Sequence, residues 1–139
     1  PPAPRDGVSA GDEERAEAAG RPLDREAAEA LVAAYLARHG EADLEGVVAL
    51  FAPEARLEDP VGSPVLRGRE AIRTFYRETH RRNGRLVFER VGGVLCGGRE
   101  LVLHVRAALA RDPGGAGMDV VYVIEVDAAG RIGSLRAWF

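Results

Sequence analysis

The chain has 139 residues, of which 46% are hydrophobic and 29% charged, and its formal net charge is −3 at pH 7. This balance is typical of one globular domain with enough apolar material for a core and a pocket, and it lacks the basic stripe with interleaved aromatic residues that marks a nucleic-acid-binding surface. No apolar run approaches the roughly 20 residues of a membrane-spanning helix, and the single cysteine, Cys96, excludes an internal disulfide. We therefore predict a cytoplasmic protein, in a reducing compartment, that binds neither nucleic acid nor membrane.

The first 22 residues differ in composition from the rest of the chain. They are rich in proline, glycine, alanine and charge and contain almost no large apolar side chain. Such a segment cannot bury enough surface to offset the entropy lost on ordering it. We therefore predict a tail or linker over 1–22, with room for a short helix at 12–19 (DEERAEAA), and one folded domain over 23–139.

Three helices are predicted next, each marked by its flanking residues. Asp24 can cap the first helix and Asp43 the second, while Gly68 opens the third. The predicted helices cover 25–39, 44–51 and 69–83, and they end at Gly40, before Pro53 and at Asn83-Gly84.

The rest of the chain alternates in the manner of strands separated by turns. A short strand at 55–59 precedes a proline-glycine loop at 60–64. Further strands are predicted at 85–96, 100–110, 118–126 and 131–139. Helices followed by long hairpin-connected strands indicate an α+β fold with a curved antiparallel sheet, and not a parallel βαβ sheet.

Asp59 is the first candidate for chemistry. Successive side chains of a strand point to opposite faces, so Leu57 and Asp59 share one face while Glu58 lies on the other. If Leu57 lies in the core, Asp59 is an inward carboxylate at a strand end and a candidate base in a pocket. The alternative is an aspartate that caps the turn before Pro60, and the spacing alone favours this plainer role.

Two tyrosines and one histidine also need an interpretation. Tyr35 lies on the apolar face of the first helix and Tyr76 follows Phe75 in the third, and both patterns fit core tyrosines whose hydroxyls bond to a neighbour. His104 and Arg106 alternate away from the apolar residues of their strand. We therefore place His104 on the outer face of the sheet and not in a catalytic site.

Other enzyme classes lack their motifs in this sequence. There is no glycine-rich phosphate loop after a strand, no G-x-S-x-G nucleophile elbow and no cysteine–histidine cluster. The three histidines are scattered along the sequence and predict no metal site. We expect neither a metal nor another cofactor.

Two overlapping segments resemble a known family. Segments 31–64 (LVAAYLARHGEADLEGVVALFAPEARLEDPVGSP) and 49–76 (ALFAPEARLEDPVGSPVLRGREAIRTFY) are similar to the bacterial ketosteroid isomerases, including their E-D-P-x-G step. The 24 residues that separate Tyr35 from Asp59 and the final hairpin at 126–138 fit the same family. The resemblance covers about 27–139. It implies a cone-shaped fold in which three N-terminal helices pack on a curved antiparallel sheet, shared with nuclear transport factor 2 and the polyketide-cyclase-like (SnoaL-like) proteins.

The resemblance also implies roles for individual residues. In the family, the residue matching Asp59 is the base that moves the proton, the one matching Tyr35 donates a hydrogen bond to the substrate oxyanion, and the one matching Tyr76 supports that tyrosine. The sequence departs from the pattern at two positions. Tyr122 stands where the family has a second acid, and Phe51 stands where some members have another tyrosine. A phenol at 122 can still donate a hydrogen bond, although its longer ring reshapes the pocket.

The implied site combines these residues with apolar positions from the strands. The predicted catalytic residues are Asp59, Tyr35 and Tyr122. The predicted substrate-binding residues are Tyr76, Phe51, Val105, Ala107, Leu109, Val120, Ile124, Leu135 and Phe139. The resemblance further implies a homodimer that forms through the outer face of the sheet.

Three functions remain open at this point. The leading hypothesis is an isomerase in which Asp59 moves a proton next to a carbonyl and thereby shifts a double bond in a small hydrophobic substrate, bulky and steroid- or polyketide-like. The second is an epoxide-opening hydrolase or cyclase of polyketide biosynthesis, which needs a second inward acid that the strands do not supply. The third is a non-catalytic module that binds a hydrophobic ligand.

Overall fold

A computed structural model describes residues 20–139 together with Ala10. Most of the predicted tail over 1–22, including the short helix at 12–19, therefore lies outside the described residues. From Arg25 onward the chain forms three helices, α1 (Arg25–Gly40), α2 (Leu44–Val48) and α3 (Arg69–Asn83). Its seven strands are β1 (Phe51–Glu58), β2 (Leu66–Arg67), β3 (Leu86–Arg90), β4 (Leu95–Gly97), β5 (Glu100–Leu109), β6 (Met118–Val126) and β7 (Ile132–Trp138).

The strands form one curved, unclosed sheet in the order β2-β1-β7-β6-β5-β3, and β4 also pairs with β5. Neighbouring strands are antiparallel except β1 and β7, which run parallel. The predicted α+β class with a curved, largely antiparallel sheet is confirmed. The parallel pair brings the strand that precedes Asp59 next to the C-terminal strand, although the two are far apart in the sequence.

The core lies between the helices and one face of the sheet. Alternate residues of β5 and β6 are buried, namely Leu101, Leu103, Val105, Val120, Tyr122, Ile124 and Val126, whereas Ala107 and Leu109 further along the same face of β5 are half-buried. The helices add apolar residues at helical spacing, among them Val32 and Tyr35 from α1 and Ile72 and Tyr76 from α3. Within the described residues, no helix is both long and apolar enough to cross a membrane.

The second helix is shorter than the sequence predicts. Phe51, expected in its last turn, is the first residue of β1 and is fully buried. It pairs with Ile132 of β7, whose N–H bonds to the carbonyl oxygen of Leu50 at 2.8 Å. Pro53 lies in the irregular stretch of this ladder between Phe51 and Arg56, where a missing N–H interrupts no regular pairing. Pairing with a strand that is distant in the sequence therefore overrides the local helical pattern.

The strand predicted over 85–96 is two separate strands. β3 ends at Arg90, β4 begins at Leu95, and Gly92 between them has a φ of 76°. A glycine in this left-handed conformation interrupts the extended chain. Both strands still pair with β5.

Gly40 ends α1 for a different reason from the one predicted. It is the last helical residue and does not adopt a left-handed conformation, which occurs instead at Ala42 with a φ of 57°. A Cβ atom at Gly40 would lie 3.0 Å from the carbonyl oxygen of Leu86. The glycine therefore allows the end of α1 to approach β3 closely.

The predicted cap of α1 is present, and it leads to a prediction of stability. The Asp24 side chain accepts a hydrogen bond from the N–H of Glu26 at 3.3 Å. We expect Asp24→Ala to lower the free energy of unfolding by about 1 kcal/mol, because a backbone donor loses its partner. Urea denaturation measures the change, and Asp24→Asn, which keeps an acceptor, should stay close to the wild type. Equal losses in the two variants would contradict the capping role.

Candidate active site

A cavity of about 390 Å³ opens between the last turn of α1, α3, the residues that follow β1, and strands β3, β5 and β6. Its volume is within the range of small-ligand sites, which is about 300–1,000 Å³. Met118 and Phe139 are 46% and 57% exposed and lie at its mouth, whereas Tyr122 and His39 are 4% and 6% exposed and lie deeper. The cavity is lined by His39, Asp59, Pro60, Phe75, Thr79, Arg82, Asn83, Leu86, Phe88, Ala107, Met118, Val120, Tyr122 and Phe139.

Asp59 lies in this wall, directly after β1. Leu57 is fully buried, so the strand alternation directs Asp59 inward, as predicted. Glu58 points the other way, where it accepts bonds from Arg136 at 2.9 Å and from the N–H of Gly62 at 3.0 Å. The residue that holds the turn is therefore Glu58, and the turn-capping interpretation of Asp59 is wrong.

The carboxyl group of Asp59 makes no hydrogen bond or ion pair with any described residue. Burial without such a partner raises the pKa of Asp59 from its ordinary value of 3.8 to about 6. The group is thus ionised near pH 7 but holds a proton far better than a surface aspartate. A partly buried carboxylate of this kind is suited to general-base chemistry.

Tyr122 contributes a phenol to the same wall. It lies on β6 between Leu103 of β5 and Ala137 of β7, and its ring packs edge-on against Tyr35 with centroids 5.4 Å apart. Burial, followed by the negative charge of Asp59, raises the pKa of Tyr122. A hydrogen-bonding contact with the Tyr35 side chain acts in the opposite direction but is the smallest effect, so the hydroxyl keeps its proton and can donate a hydrogen bond.

Tyr35 and Tyr76 lie one layer behind the cavity wall. Their hydroxyl oxygens are 2.8 Å apart and share a hydrogen bond, and both side chains are buried. Burial, the nearby phenols and the charge of Asp59 raise the pKa of both groups well above 10.0. Phe51 packs against Tyr76 with ring centroids 5.8 Å apart and adds no further hydroxyl.

The predicted site residues thus fall into two groups. Asp59, Tyr122, Ala107, Val120 and Phe139 line the cavity. The remaining predicted residues are not in the lining: Tyr35, Tyr76, Phe51, Val105, Ile124 and Leu135 belong to the core, and Leu109 is half-buried outside it. Strand alternation identifies the face of the sheet on which a residue lies but not how far along that face the cavity extends. The functional role of each of these residues stays a prediction.

His39 is a cavity residue that the sequence analysis missed. Its Nδ1 atom lies 3.1 Å from Nε2 of His80, so the description of the histidines as scattered is wrong for this pair. Burial, and secondarily His80, lower the pKa of His39 to about 4, and burial lowers that of His80 as well. One signal was available, because each histidine follows a tyrosine by four residues in its helix, Tyr35 in α1 and Tyr76 in α3. Among the described residues, no group of three or more potential ligands is placed to hold a metal ion.

The third histidine lies on the opposite side of the sheet, as predicted. Nε2 of His104 is 2.9 Å from Oδ1 of Asp119, and Arg106 donates to Oδ2 of the same carboxylate at 2.9 Å. Asp119 therefore faces away from the cavity and does not replace the missing second acid beside Tyr122.

The fold and the cavity define the class of protein: a small α+β domain that holds one basic carboxylate among phenols. Residues 32–134 match the family of SnoaL-like domains, and the chain belongs to that family. The fold is that of the NTF2-like proteins, so the resemblance drawn from the sequence is confirmed.

Three proteins to which the chain is similar are enzymes or enzyme-like. It is 37% identical over 118 residues to a steroid Delta-isomerase of Nocardioides simplex, which covers 79% of this chain and 87% of that protein. It is 30% identical over 139 aligned positions to the epoxide hydrolase LasB of Streptomyces lasalocidi, which covers 84% of this chain but only 48% of LasB, so the chain spans about half the length of that relative. Among solved structures, the epoxide hydrolase/cyclase-like enzyme SalBIII, described with a role in pyran ring formation in the polyether salinomycin, superposes with a TM-score of 0.70. It shares 26% identity, over 83% of this chain and 92% of that chain.

The raised pKa of Asp59 predicts a pH-dependent cost to stability. Between about pH 4 and pH 6 the folded state binds a proton that the unfolded state has lost, so the contribution of Asp59 to stability falls as the pH rises through this window. Asp59→Asn removes this cost. We expect the variant to be more stable than the wild type by about 3 kcal/mol at pH 7.5 and nearly equal to it near pH 4.

Urea denaturation at the two pH values measures the difference. The control is Asp119→Asn, because the bond from His104 lowers the pKa of the exposed Asp119 and its replacement should not stabilise the protein at pH 7.5. An Asp59→Asn variant that is less stable than the wild type at both pH values would contradict the conclusion that Asp59 is buried without a stabilising partner among the described residues.

Proposed function

We propose that the protein is an isomerase that moves a proton, and with it a double bond, next to the carbonyl of a bulky apolar ketone. One observation carries the proposal: a carboxylate that has no partner among the described residues, with its pKa raised to about 6, lines an open cavity beside a protonated phenol. A base that must first take a proton and then return it works best when its pKa lies near the working pH. The relation to a steroid Delta-isomerase supports the same reaction class.

The reaction follows from the two groups in the wall. The Asp59 carboxylate removes a proton from the carbon between the carbonyl and the C=C bond of a β,γ-unsaturated ketone, and the electron pair moves onto the carbonyl oxygen. The resulting dienolate oxygen accepts a hydrogen bond from Tyr122. The Asp59 carboxyl then returns the proton to the γ carbon, which yields the conjugated enone and restores the carboxylate.

Tyr122, and not Tyr35, is the direct donor in this proposal. Tyr122 lines the cavity, whereas Tyr35 lies behind it with its hydroxyl bonded to Tyr76. The edge-on contact between the Tyr35 and Tyr122 rings holds Tyr122 in place. We therefore assign a supporting role to the Tyr35–Tyr76 pair.

An epoxide-opening reaction is the second candidate, and the similarity to LasB and SalBIII favours it. Such a reaction needs an acid to protonate the epoxide oxygen and a base to activate the nucleophile. Asp59 is the one carboxyl group among the described residues that line the cavity. Tyr122 occupies the position at which a second acid would be expected. The set of groups in the wall therefore supports the isomerase more directly.

The cavity also bears on the non-catalytic alternative. Neither Tyr122 nor Phe51 fills it, since Tyr122 forms part of the wall and Phe51 is buried outside the lining. A purely structural use of this region is thus less consistent with the open space than ligand binding or catalysis.

The isomerase activity predicts a loss of rate in Asp59→Asn. With a β,γ-unsaturated steroid ketone, the wild type should produce the ultraviolet absorbance of a conjugated enone, and the variant should be slower by about 10²–10⁴-fold because the general base is absent. Below pH 6, kcat/KM of the wild type should fall about tenfold per pH unit as Asp59 becomes protonated. Asp119→Asn on the outer face should keep full activity.

Three other outcomes decide between the candidates. A wild-type rate of enone formation no higher than that of Asp59→Asn would contradict the isomerase proposal. Opening of a hydrophobic epoxide that depends on Asp59, without any enone formation, would establish the second candidate in its place. Tight binding of the ketone without turnover would favour the third hypothesis, a non-catalytic module that binds a hydrophobic ligand.

The assignment of the direct donor predicts unequal effects of two phenol deletions. Tyr122→Phe should lower kcat by about 10²–10³-fold, because it removes a hydrogen bond that forms most strongly with the developing oxyanion. Tyr35→Phe should lower kcat by clearly less, with KM little changed in both variants. A larger loss in Tyr35→Phe would instead make Tyr35 the direct donor.

A further inference from the structure

Helices α1 and α3 face each other with matching pairs of side chains. Tyr35 and His39 lie one turn apart on α1, and Tyr76 and His80 lie one turn apart on α3. The two hydroxyl oxygens are 2.8 Å apart and the two imidazoles are joined at 3.1 Å. The proposed reaction makes no use of the histidine pair, although His39 lines the cavity.

The arrangement of the pair selects one tautomer. Both rings are neutral near pH 7, since burial lowers both pKa values, so a single N–H lies between Nδ1 of His39 and Nε2 of His80. Nδ1 of His80 is buried and has no partner among the described residues. If His39 supplied the shared proton, His80 would carry its own proton on Nδ1 and would bury a donor with nothing to accept it. Buried donors without acceptors are rare and costly.

The other tautomer leaves Nδ1 of His80 as an unpaired acceptor, and buried acceptors without a partner are less rare than buried N–H donors without one. Nε2–H of His80 donates to Nδ1 of His39, and His39 then carries its own proton on Nε2. This atom has no hydrogen-bond partner among the described residues, and the ring belongs to the cavity wall. His39 therefore presents a neutral N–H to whatever occupies the cavity.

We propose that His39 is a second hydrogen-bond donor to the substrate oxyanion, beside Tyr122, and that His80 is the positioning residue that fixes its tautomer. This inference rests on the proposed isomerase. The rings of His39 and Tyr122 both pack against Tyr35, with centroids 5.5 and 5.4 Å from it, so the two donors flank the same aromatic side chain. A neutral, preorganised donor stabilises developing negative charge without a change of its own protonation state.

Two substitutions at His39 distinguish the role of Nδ1, which contacts His80, from the role of Nε2, which is proposed to donate to the substrate. Gln places an amide N–H₂ near the position of Nε2 and keeps the donor to the cavity, whereas Asn can replace Nδ1 opposite His80 but is too short to reach the cavity. We expect His39→Asn to lower kcat by about 10–100-fold, as for the loss of one hydrogen bond to a charged group. His39→Gln should stay within about threefold of the wild type, and KM should change little in both. Equal activity of the two variants would overturn the proposal.

A spectroscopic measurement tests the tautomer without reference to turnover. In protein labelled with ¹⁵N-histidine, the Nε2 resonance of His39 should have the chemical shift of a protonated ring nitrogen and should move when 2-naphthol, a mimic of an enol, is added. His80→Gln keeps a donor near Nε2 and should preserve this signature, whereas His80→Leu should lose it. An unprotonated Nε2 in the wild type would overturn the proposal.

The two sets of measurements fail in distinguishable ways. If the wild type forms no enone but the Nε2–H signal responds to 2-naphthol, the isomerase is wrong and the donor assignment at His39 survives. If the wild type is active, Asp59→Asn is inactive and His39→Asn is unaffected, the role of His39 alone is wrong.

Discussion

The site depends on one constraint, the burial of the Asp59 carboxylate without a compensating partner in the part of the chain that the structure describes. An unpaired charge in a poorly solvated position raises the free energy of its ionised form, and the raised pKa of about 6 expresses that cost. Two donors near the end of β1 could have compensated this charge, the guanidinium of Arg136 and the N–H of Gly62. Both instead bond to Glu58 on the other face of the strand. Because successive side chains of a strand point to opposite faces, the two adjacent acids have different environments. Glu58 bonds to the turn, and Asp59 faces the cavity with a raised pKa.

The phenols and imidazoles in and behind the cavity wall stay uncharged. Burial raises the pKa values of the phenols, so they donate hydrogen bonds and do not ionise, and it lowers those of the imidazoles, so they stay neutral. The same desolvation acts on both kinds of group in favour of the uncharged form. The ladder of Tyr35–Tyr76 and His39–His80 bonds between α1 and α3 also fixes the two helices relative to each other. The result is a set of neutral side chains, held in place by these bonds, in and behind the wall that contains the one carboxylate among the described cavity residues.

The sequence predicted much of this arrangement, and its failures have physical causes. The caps at Asp24 and Asp43, the alternation of β6 and the inward direction of Asp59 follow from local geometry, and the structure agrees with each. The conformation at Phe51 was mispredicted because its partner, Ile132, lies some 80 residues away and leaves no trace in the local pattern. The His39–His80 contact was missed for the same reason, since it joins two helices whose relative placement no single helix encodes. The lining predicted from the sequence included too many apolar residues, because periodicity shows on which face of the sheet a residue lies but not whether that residue reaches the cavity.

The tyrosine at position 122 bears on which reaction this cavity favours. A carboxylic acid at that place can transfer its proton fully, which an epoxide oxygen needs when its ring opens. A phenol whose pKa has been raised above its ordinary 10.0 gives up a proton far less readily, but it remains a good hydrogen-bond donor. An enolate needs only such a donor, because its proton travels on the carboxylate and the oxyanion is regenerated as a carbonyl. The same substitution that departs from the ketosteroid isomerase pattern thus disfavours full proton donation to oxygen and remains compatible with proton transfer between two carbons.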